Sequence, residues 1–290
     1  MIQLLQTLSG HRSGIYNLKV WQEKIYSASG DGFIIEWDLD TGIGKVMADV
    51  KKAIYTFYID ANYIWIGTQQ GNIHVIDRNT QQEIKNLLLT QSSIYCIHHW
   101  IEKDIVYFTD ANGGIGFIDT QNYQLVHYEK IASTKLRKIA HDTHYLYTTD
   151  AYNAVVKREY PTLQIVQKYA SHTQAINVVE IDTDRNTILS GGKDAYLKIQ
   201  TVNDGEIIAD FPAHNYAIYA IAVSPNQQYI ASCSMDKTCK IWDYVTMDII
   251  QRIDKSNQGH THSVNTLLWY NDTTLITAGD DRNIKVWRVK

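Results

Sequence analysis

The sequence predicts an all-β chain of seven small antiparallel sheets, about four strands each, repeated around an axis. A motif recurs seven times with a period near 40 residues. Each repeat alternates apolar runs of four to six residues, rich in Ile, Val, Tyr and Trp, with Asp/Asn/Gly turns. No segment carries helical periodicity, so nothing requires a crossover helix, and short sheets on this period suit radial repetition.

The clearest copies are "GDGFIIEWD" (30–38), "SMDKTCKIWD" (234–243) and "GDDRNIKVWR" (279–288). Looser copies are "TQQGNIHVID" (68–77), "ANGGIGFID" (111–119), "AYNAVVKRE" (151–159) and "GKDAYLKIQT" (192–201). The Trp position falls at 37, 76, 118, 158, 200, 242 and 287, with spacings of 39, 42, 40, 42, 42 and 45. The last repeat stops at its third strand, "NIKVWRVK", and "IQLLQTL" (2–8) is a spare strand ahead of the first repeat.

Composition excludes several classes. The chain has 290 residues, 44% hydrophobic and 20% charged, with net charge −4. A chain of this length buries roughly 75% of its unfolded surface and needs no covalent staples. The charge balance argues against a non-specific nucleic-acid or anionic-membrane binder, which needs a basic footprint. No stretch approaches 18 apolar residues, so no membrane span is expected. The start, "MIQLLQTLSGHRSG", lacks the basic and apolar regions of a signal peptide. Cys96, Cys233 and Cys239 form no disulfide framework. Cys233 and Cys239 flank Asp236 symmetrically in a predicted hairpin, which makes them cross-strand neighbours, read as buried thiols of a reducing, cytoplasmic compartment.

The pairs Gly10-His11 and Gly259-His260, with Trp37-Asp38 and Trp242-Asp243, resemble WD40 repeats. The resemblance covers the whole chain. It implies a single domain, residues 1–290, folded as a seven-bladed β-propeller of four-stranded antiparallel blades. It also implies that residues 2–8 close the ring against the last blade, removing an exposed edge, so that the N-terminus is structural.

His11, Ser27, Asp31 and Trp37 look at first like parts of a hydrolase triad. The same set recurs as His214, Ser232, Asp236, Trp242 and as His260, Thr277, Asp281, Trp287; the fifth repeat has His172, Ser190 and Asp194 with Gln200 at the Trp position. An active site has no reason to be copied. In the family this tetrad is a buried hydrogen-bond network, and a satisfied network fixes one register. Repeats two, three and four lack it, and ordinary packing is expected in its place.

No metal or cofactor is expected. "DTDRNT" (182–187) begins like a calcium loop but has Thr187 at the sixth place and Lys193 at the twelfth. His98-His99 are adjacent on a strand and point apart; these and the "HDTH" pair, His141 and His144, are read as solvated. "GGIG" (113–116) precedes no helix, so it is no phosphate loop.

The fragments "SGIYNL", "KAIYTF", "SSIYCI" and "YAIYAI" put a tyrosine at one phase of the period. The resemblance implies that residues near this point project to the top face. After the repeated Ile/Val stand Tyr16, Tyr55, Tyr95, Arg137, Asn177, Tyr219 and Asn265; before it stand mostly small residues and Lys135; before the turn stand residues such as Gly30, Ala151, Lys193, Met235 and Asp280. Tyrosines thus form one arc, and Lys135, Arg137 and Lys193 a basic arc opposite. Tyr and Arg dominate interface hot spots, and the basic groups suit a carboxylate or phosphate.

The expected partner surface is Tyr16, Tyr55, Tyr95, Lys135, Arg137, Asn177, Lys193, Tyr219, Met235 and Asn265. The expected function is a non-enzymatic protein-interaction scaffold, binding a peptide or loop with acidic or phosphorylated groups, as a monomer or a subunit of a hetero-complex. The alternatives are plain channel lining by the tyrosines, and a small-molecule (sugar or lactone) site or enzyme in the central channel. The channel alternative would need convergent carboxylates or histidines, where the placed positions are mostly Tyr, Asn and small residues.

Overall fold

The computed structural model describes residues 2–150, 153–170 and 172–289, which leaves Ala151 outside the described residues. It contains seven four-stranded antiparallel sheets, the blades of a β-propeller. The chain forms two compact units, residues 1–94 with 222–290, and residues 95–221.

The first unit holds blade one (Ile15–Trp21, Lys24–Ser29, Phe33–Trp37, Gly44–Asp49) and blade two (Ile54–Ile59, Tyr63–Thr68, Asn72–Asp77, Glu83–Leu88). It also holds Tyr229–Ser234, Cys239–Asp243 and Ile249–Ile253 of blade six, and blade seven (Val264–Asn271, Thr274–Gly279, Asn283–Arg288). Blade seven takes its fourth strand from the start of the chain. Gln3–Ser9 runs antiparallel to Asn283–Arg288, pairing Gln3 with Arg288, Leu8 with Ile284 and Ser9 with Asn283. The spare strand and the missing strand are therefore partners. Leu8 is buried with Leu18, Ile25, Trp37 and Ile276, so the closing strand is packed as well as hydrogen-bonded.

The second unit holds blade three (Ile94–Trp100, Ile105–Asp110, Gly114–Asp119, Leu125–Lys130), which begins at its boundary, and blade four (Ala140–His141, Tyr145–Thr149, Val155–Glu159, Ile165–Lys168). Blade five follows (Ile176–Asp182, Thr187–Gly192, Tyr196–Thr201, Ile207–Pro212), and Ile218–Val223 opens blade six. The Trp position lies in the third strand of every blade.

Burial explains the composition of the strands. The second strands are buried along nearly their whole length, and fourth strands such as Leu125–Lys130 are exposed throughout. A strand covered on both faces needs continuous apolar residues, which is why "YIWIGT" and "IVYFTD" show no alternation. Cys233 and Cys239 pair across the second and third strands of blade six, both buried as thiols.

Blades one and two are also held by Arg78. Its guanidinium donates to the Asp60 and Ala61 carbonyls (2.8 and 3.1 Å) and to the Tyr26 hydroxyl (3.2 Å), and it stacks on Trp21 and Tyr26. Tyr26 in turn donates to Glu36. Burial and this carboxylate push the phenol up to about 12.

A β-bulge recurs at one place. In blades one, two, five and seven the register between the first and second strands slips across a single residue: Tyr16, Tyr55, Asn177 and Asn265. A bulge leaves its extra residue out of the ladder and re-aims the side chain.

Candidate functional site

In blade one, Trp37 Nε1 donates to Ser27 Oγ (2.8 Å), and His11 Nε2 lies 2.7 Å from the same oxygen. His11 Nδ1 lies 3.0 Å from Asp31 Oδ2, which also accepts the Arg12 amide (2.7 Å). Trp can only donate and the serine has one hydrogen, so the chain runs from Trp to Ser to His Nε2, with Nδ1–H donated to Asp. Blade seven repeats this: Trp287 Nε1 to Thr277 Oγ1 at 2.9 Å, His260 Nε2 at 2.8 Å, and His260 Nδ1 to Asp281 at 2.9 Å. Blade five has His172 2.9 Å from Ser190 and 3.0 Å from Asp194, while Gln200 accepts the Ala170 amide. In blade six Trp242 donates to Ser232 (3.0 Å), His214 is buried, and Asp236 Oδ1 accepts the Thr238 amide and hydroxyl. Ser27, Ser190, Ser232 and Thr277 are all fully buried. These hydroxyls are sealed from solvent inside their blades.

Blades three and four correct the expectation of plain packing, because they carry networks of other residues. In blade four Arg158 occupies the Trp position and donates through Nε to Thr148 (3.0 Å), the counterpart of Ser27, and through Nη1 to the Leu163 carbonyl (2.9 Å). The carboxylates have moved two residues earlier in the motif, to Asp110 and Asp150, both buried. Asp110 accepts the Asn112 and Gly114 amides (both 2.9 Å) and the Tyr128 hydroxyl (2.8 Å). Asp150 accepts the Ala154 amide (3.0 Å) and pairs with Lys168 (3.1 Å). The "GGIG" glycines make room: a Cβ on Gly114 would sit 2.1 Å from the Tyr128 oxygen.

The histidines also differ from expectation. His98 and His141 are not simply solvated but join an aromatic cluster with Trp100 and Tyr107. Tyr107 Oη lies 2.9 Å from His141 Nδ1. The second strand of blade three and the two-residue first strand of blade four bring them together. His144 is exposed.

Acid is expected to weaken the fold. Burial holds His11 below its ordinary 6.5, outweighing the Asp31 charge and hydrogen bond; burial lowers His141 likewise. Burial works to raise Asp31, Asp194 and Asp281, but the amide, histidine charge and histidine hydrogen bonds together hold all three below the ordinary 3.8. For each group the unfolded chain takes the proton first as pH falls. Stability is therefore lost below about pH 6.5 through the histidines and again below about pH 4 through the carboxylates. Melting temperatures measured from pH 7.5 to 3.5 should fall in both windows; a Tm flat or rising between pH 7 and 5 contradicts the histidine assignment.

The residues at and beside the tyrosine position fall into two kinds. In the first unit Tyr16 and Tyr55 meet edge to face, with ring centroids 5.1 Å apart. Both are half-buried. The small neighbour Gly30 lets the Tyr16 ring lie down: a Cβ there would be 3.2 Å from the ring and 2.7 Å from Ser13 Oγ. Burial, then the nearby Asp280 and Tyr55, raise the Tyr16 phenol. In the second unit Arg137 and Lys135 lie 5.1 and 5.9 Å from the Tyr95 ring centroid. The bases thus stand on a tyrosine rather than across from one.

The asparagines are ties between blades. Asn177 Nδ2 donates to the Ile218 carbonyl (3.0 Å) and the residue is 5% exposed, so it leaves the set of partner contacts. Asn265 Nδ2 makes the same bond to the Ile15 carbonyl (3.1 Å) and a second to Asp280 (2.7 Å). The tyrosine stops in blades five and seven because an amide there reaches the repeated Ile of the next blade. Lys193 and Met235 are exposed, and Tyr219 is half-buried.

A family model described as "WD domain, G-beta repeat" matches residues 2–38, 163–199, 205–243 and 252–288. The chain belongs to this WD40 family. Among curated relatives, a WD repeat domain-containing protein 83 homolog of Dictyostelium discoideum is 26% identical over 122 residues, 42% of this chain and 36% of that protein. Apoptotic protease-activating factor 1 of Rattus norvegicus is 31% identical over 215 residues, 71% of this chain and 16% of that protein. WD repeat-containing protein 37 of Mus musculus is 20% identical over 99% of this chain and 51% of that protein. The chain spans about half the length, or less, of these relatives.

Proposed function

We propose that the chain is a non-enzymatic scaffold that binds a partner protein through two patches, the bulge-presented Tyr16 with Tyr55, and Tyr95 with Lys135 and Arg137. The observation that carries the reading is the bulge itself. It takes aromatic residues out of the ladder and leaves them half-exposed, which packing of a strand does not require. Tyrosine offers a large, rigid contact with a polar tip. Arg137 and Lys135 favour acidic or phosphorylated groups on the partner. Met235 and Asn265 in the first unit, and Lys193 and Tyr219 in the second, are further candidate contacts. Family membership supports the class of function. Three cysteines buried as thiols support a reducing compartment such as the cytoplasm.

The test is a pull-down from native lysate with the wild-type chain beside a Tyr16→Ala/Tyr55→Ala/Arg137→Ala variant, both confirmed folded by circular dichroism. Each hot-spot truncation removes about 2 kcal/mol, or roughly 30-fold in affinity. A protein captured by wild type should therefore vanish from the variant. Equal capture by both chains would reject these patches as the recognition surface.

A further inference from the structure

Fourth strands in this chain meet third strands at a recurring cross-strand position, two residues before the Trp position. In blade five it holds Lys198 against Asp210, an ion pair of 2.6 Å. In blade six it holds Lys240 against Arg252, two cations directly opposite each other. Like charges in this position oppose pairing. Burial holds the Lys240 ammonium below its ordinary range; the Asp236 charge works against this, and the smaller effect of Arg252 adds to it.

Arg252 opens onto a cleft in the first unit, lined also by Lys237, Thr238, Lys255 and Thr261, with Asp236 and Asp254. The carboxylates are engaged. Asp236 Oδ1 accepts the Thr238 amide and hydroxyl (3.0 and 2.6 Å). Asp254 Oδ1 accepts the Ser256 amide and hydroxyl, and its Oδ2 meets Arg252 Nε at 3.2 Å. Among the described residues no ion pair engages Lys237 or Lys255, and Arg252 has this one only. Three exposed cations thus line one opening.

We propose that this cleft between blades six and seven binds a phosphate group, held by Arg252, Lys237 and Lys255. The planar guanidinium suits a tetrahedral oxyanion, with the lysines as point charges beside it. An anion here also relieves the repulsion between Lys240 and Arg252. The site shares no residue with the tyrosine patches and stands independently of them.

The test is calorimetric titration at constant ionic strength, with inorganic phosphate, a phosphoserine peptide and acetate as probes. Wild type should bind the phosphates and not acetate. Arg252→Asp rebuilds the lysine–aspartate pair of blade five, so it should lose at least about tenfold in phosphate affinity and melt higher than wild type in phosphate-free buffer. Lys237→Ala/Lys255→Ala, both at exposed positions, should lose affinity with the melting temperature unchanged. Tighter binding of the peptide than of inorganic phosphate supports the site and assigns a phosphorylated protein as the source; equal binding supports it with free phosphate as the source. Affinity unchanged in both variants, no binding to wild type, or equal binding of acetate overturns the proposal.

Discussion

Removal of residues 1–9 should make the chain associate. The strand Gln3–Ser9 supplies the whole fourth strand of blade seven. Its loss bares the edge of Asn283–Arg288, an open template for other chains. It also uncovers the pocket that Leu8 fills among Leu18, Ile25, Trp37 and Ile276. A buried leucine alone is worth about 2–5 kcal/mol on truncation to alanine, out of a total of roughly 5–15 kcal/mol for a domain. The truncated chain should therefore elute as oligomers in light-scattering chromatography and melt far below the full chain. Leu8→Ala should stay monodisperse and lose only the leucine's share. A truncated chain that is monodisperse and melts within a few degrees of the full one would show that the closing strand is dispensable.

The second large effect is expected from Thr277→Val. The substitution keeps the shape and removes one oxygen. That oxygen accepts Trp287 Nε1 at 2.9 Å and meets His260 Nε2 at 2.8 Å in a fully buried place. Both ring nitrogens are then left without partners, at about 1–3 kcal/mol each. The expected loss is about 2–6 kcal/mol by urea denaturation at pH 7.5, with Thr277→Ser close to wild type. A loss below about 0.5 kcal/mol, the range of ordinary surface substitutions, would mean that the tetrad contributes no more than packing.

The period, the blades and the closing strand were legible because they rest on chain-local patterns: apolar runs, turn residues and a count of strands. The Ser/Thr, Asp and Trp positions of blades one, six and seven were legible because they keep fixed offsets, the hydroxyl ten and the Asp six residues before the Trp. What stayed hidden depends on register between strands. Nothing in "SGIYNL" announces that Tyr16 is bulged, since a bulge is a property of two strands and not of one. The asparagine ties were hidden for the same reason, as Asn177 and Asn265 bond carbonyls of the following blade. In blades three and four the network uses Tyr128 and Lys168 from the exposed fourth strand and carboxylates displaced by two residues. Motif matching on His, Ser, Asp and Trp passes over them, and the family model likewise covers none of residues 39–162.

The pairing of Gln3 with Arg288 and of Ser9 with Asn283 has a mechanical consequence. Residues 3 and 288 lie at the same end of the ladder. A pulling force applied between them loads the hydrogen bonds one pair at a time, as in a zipper. A force applied between residues 9 and 288 would instead load the same bonds together, in shear, and meet much greater resistance. Tethers fused beyond the two ends should therefore peel the closing strand off at low force, before any other blade yields.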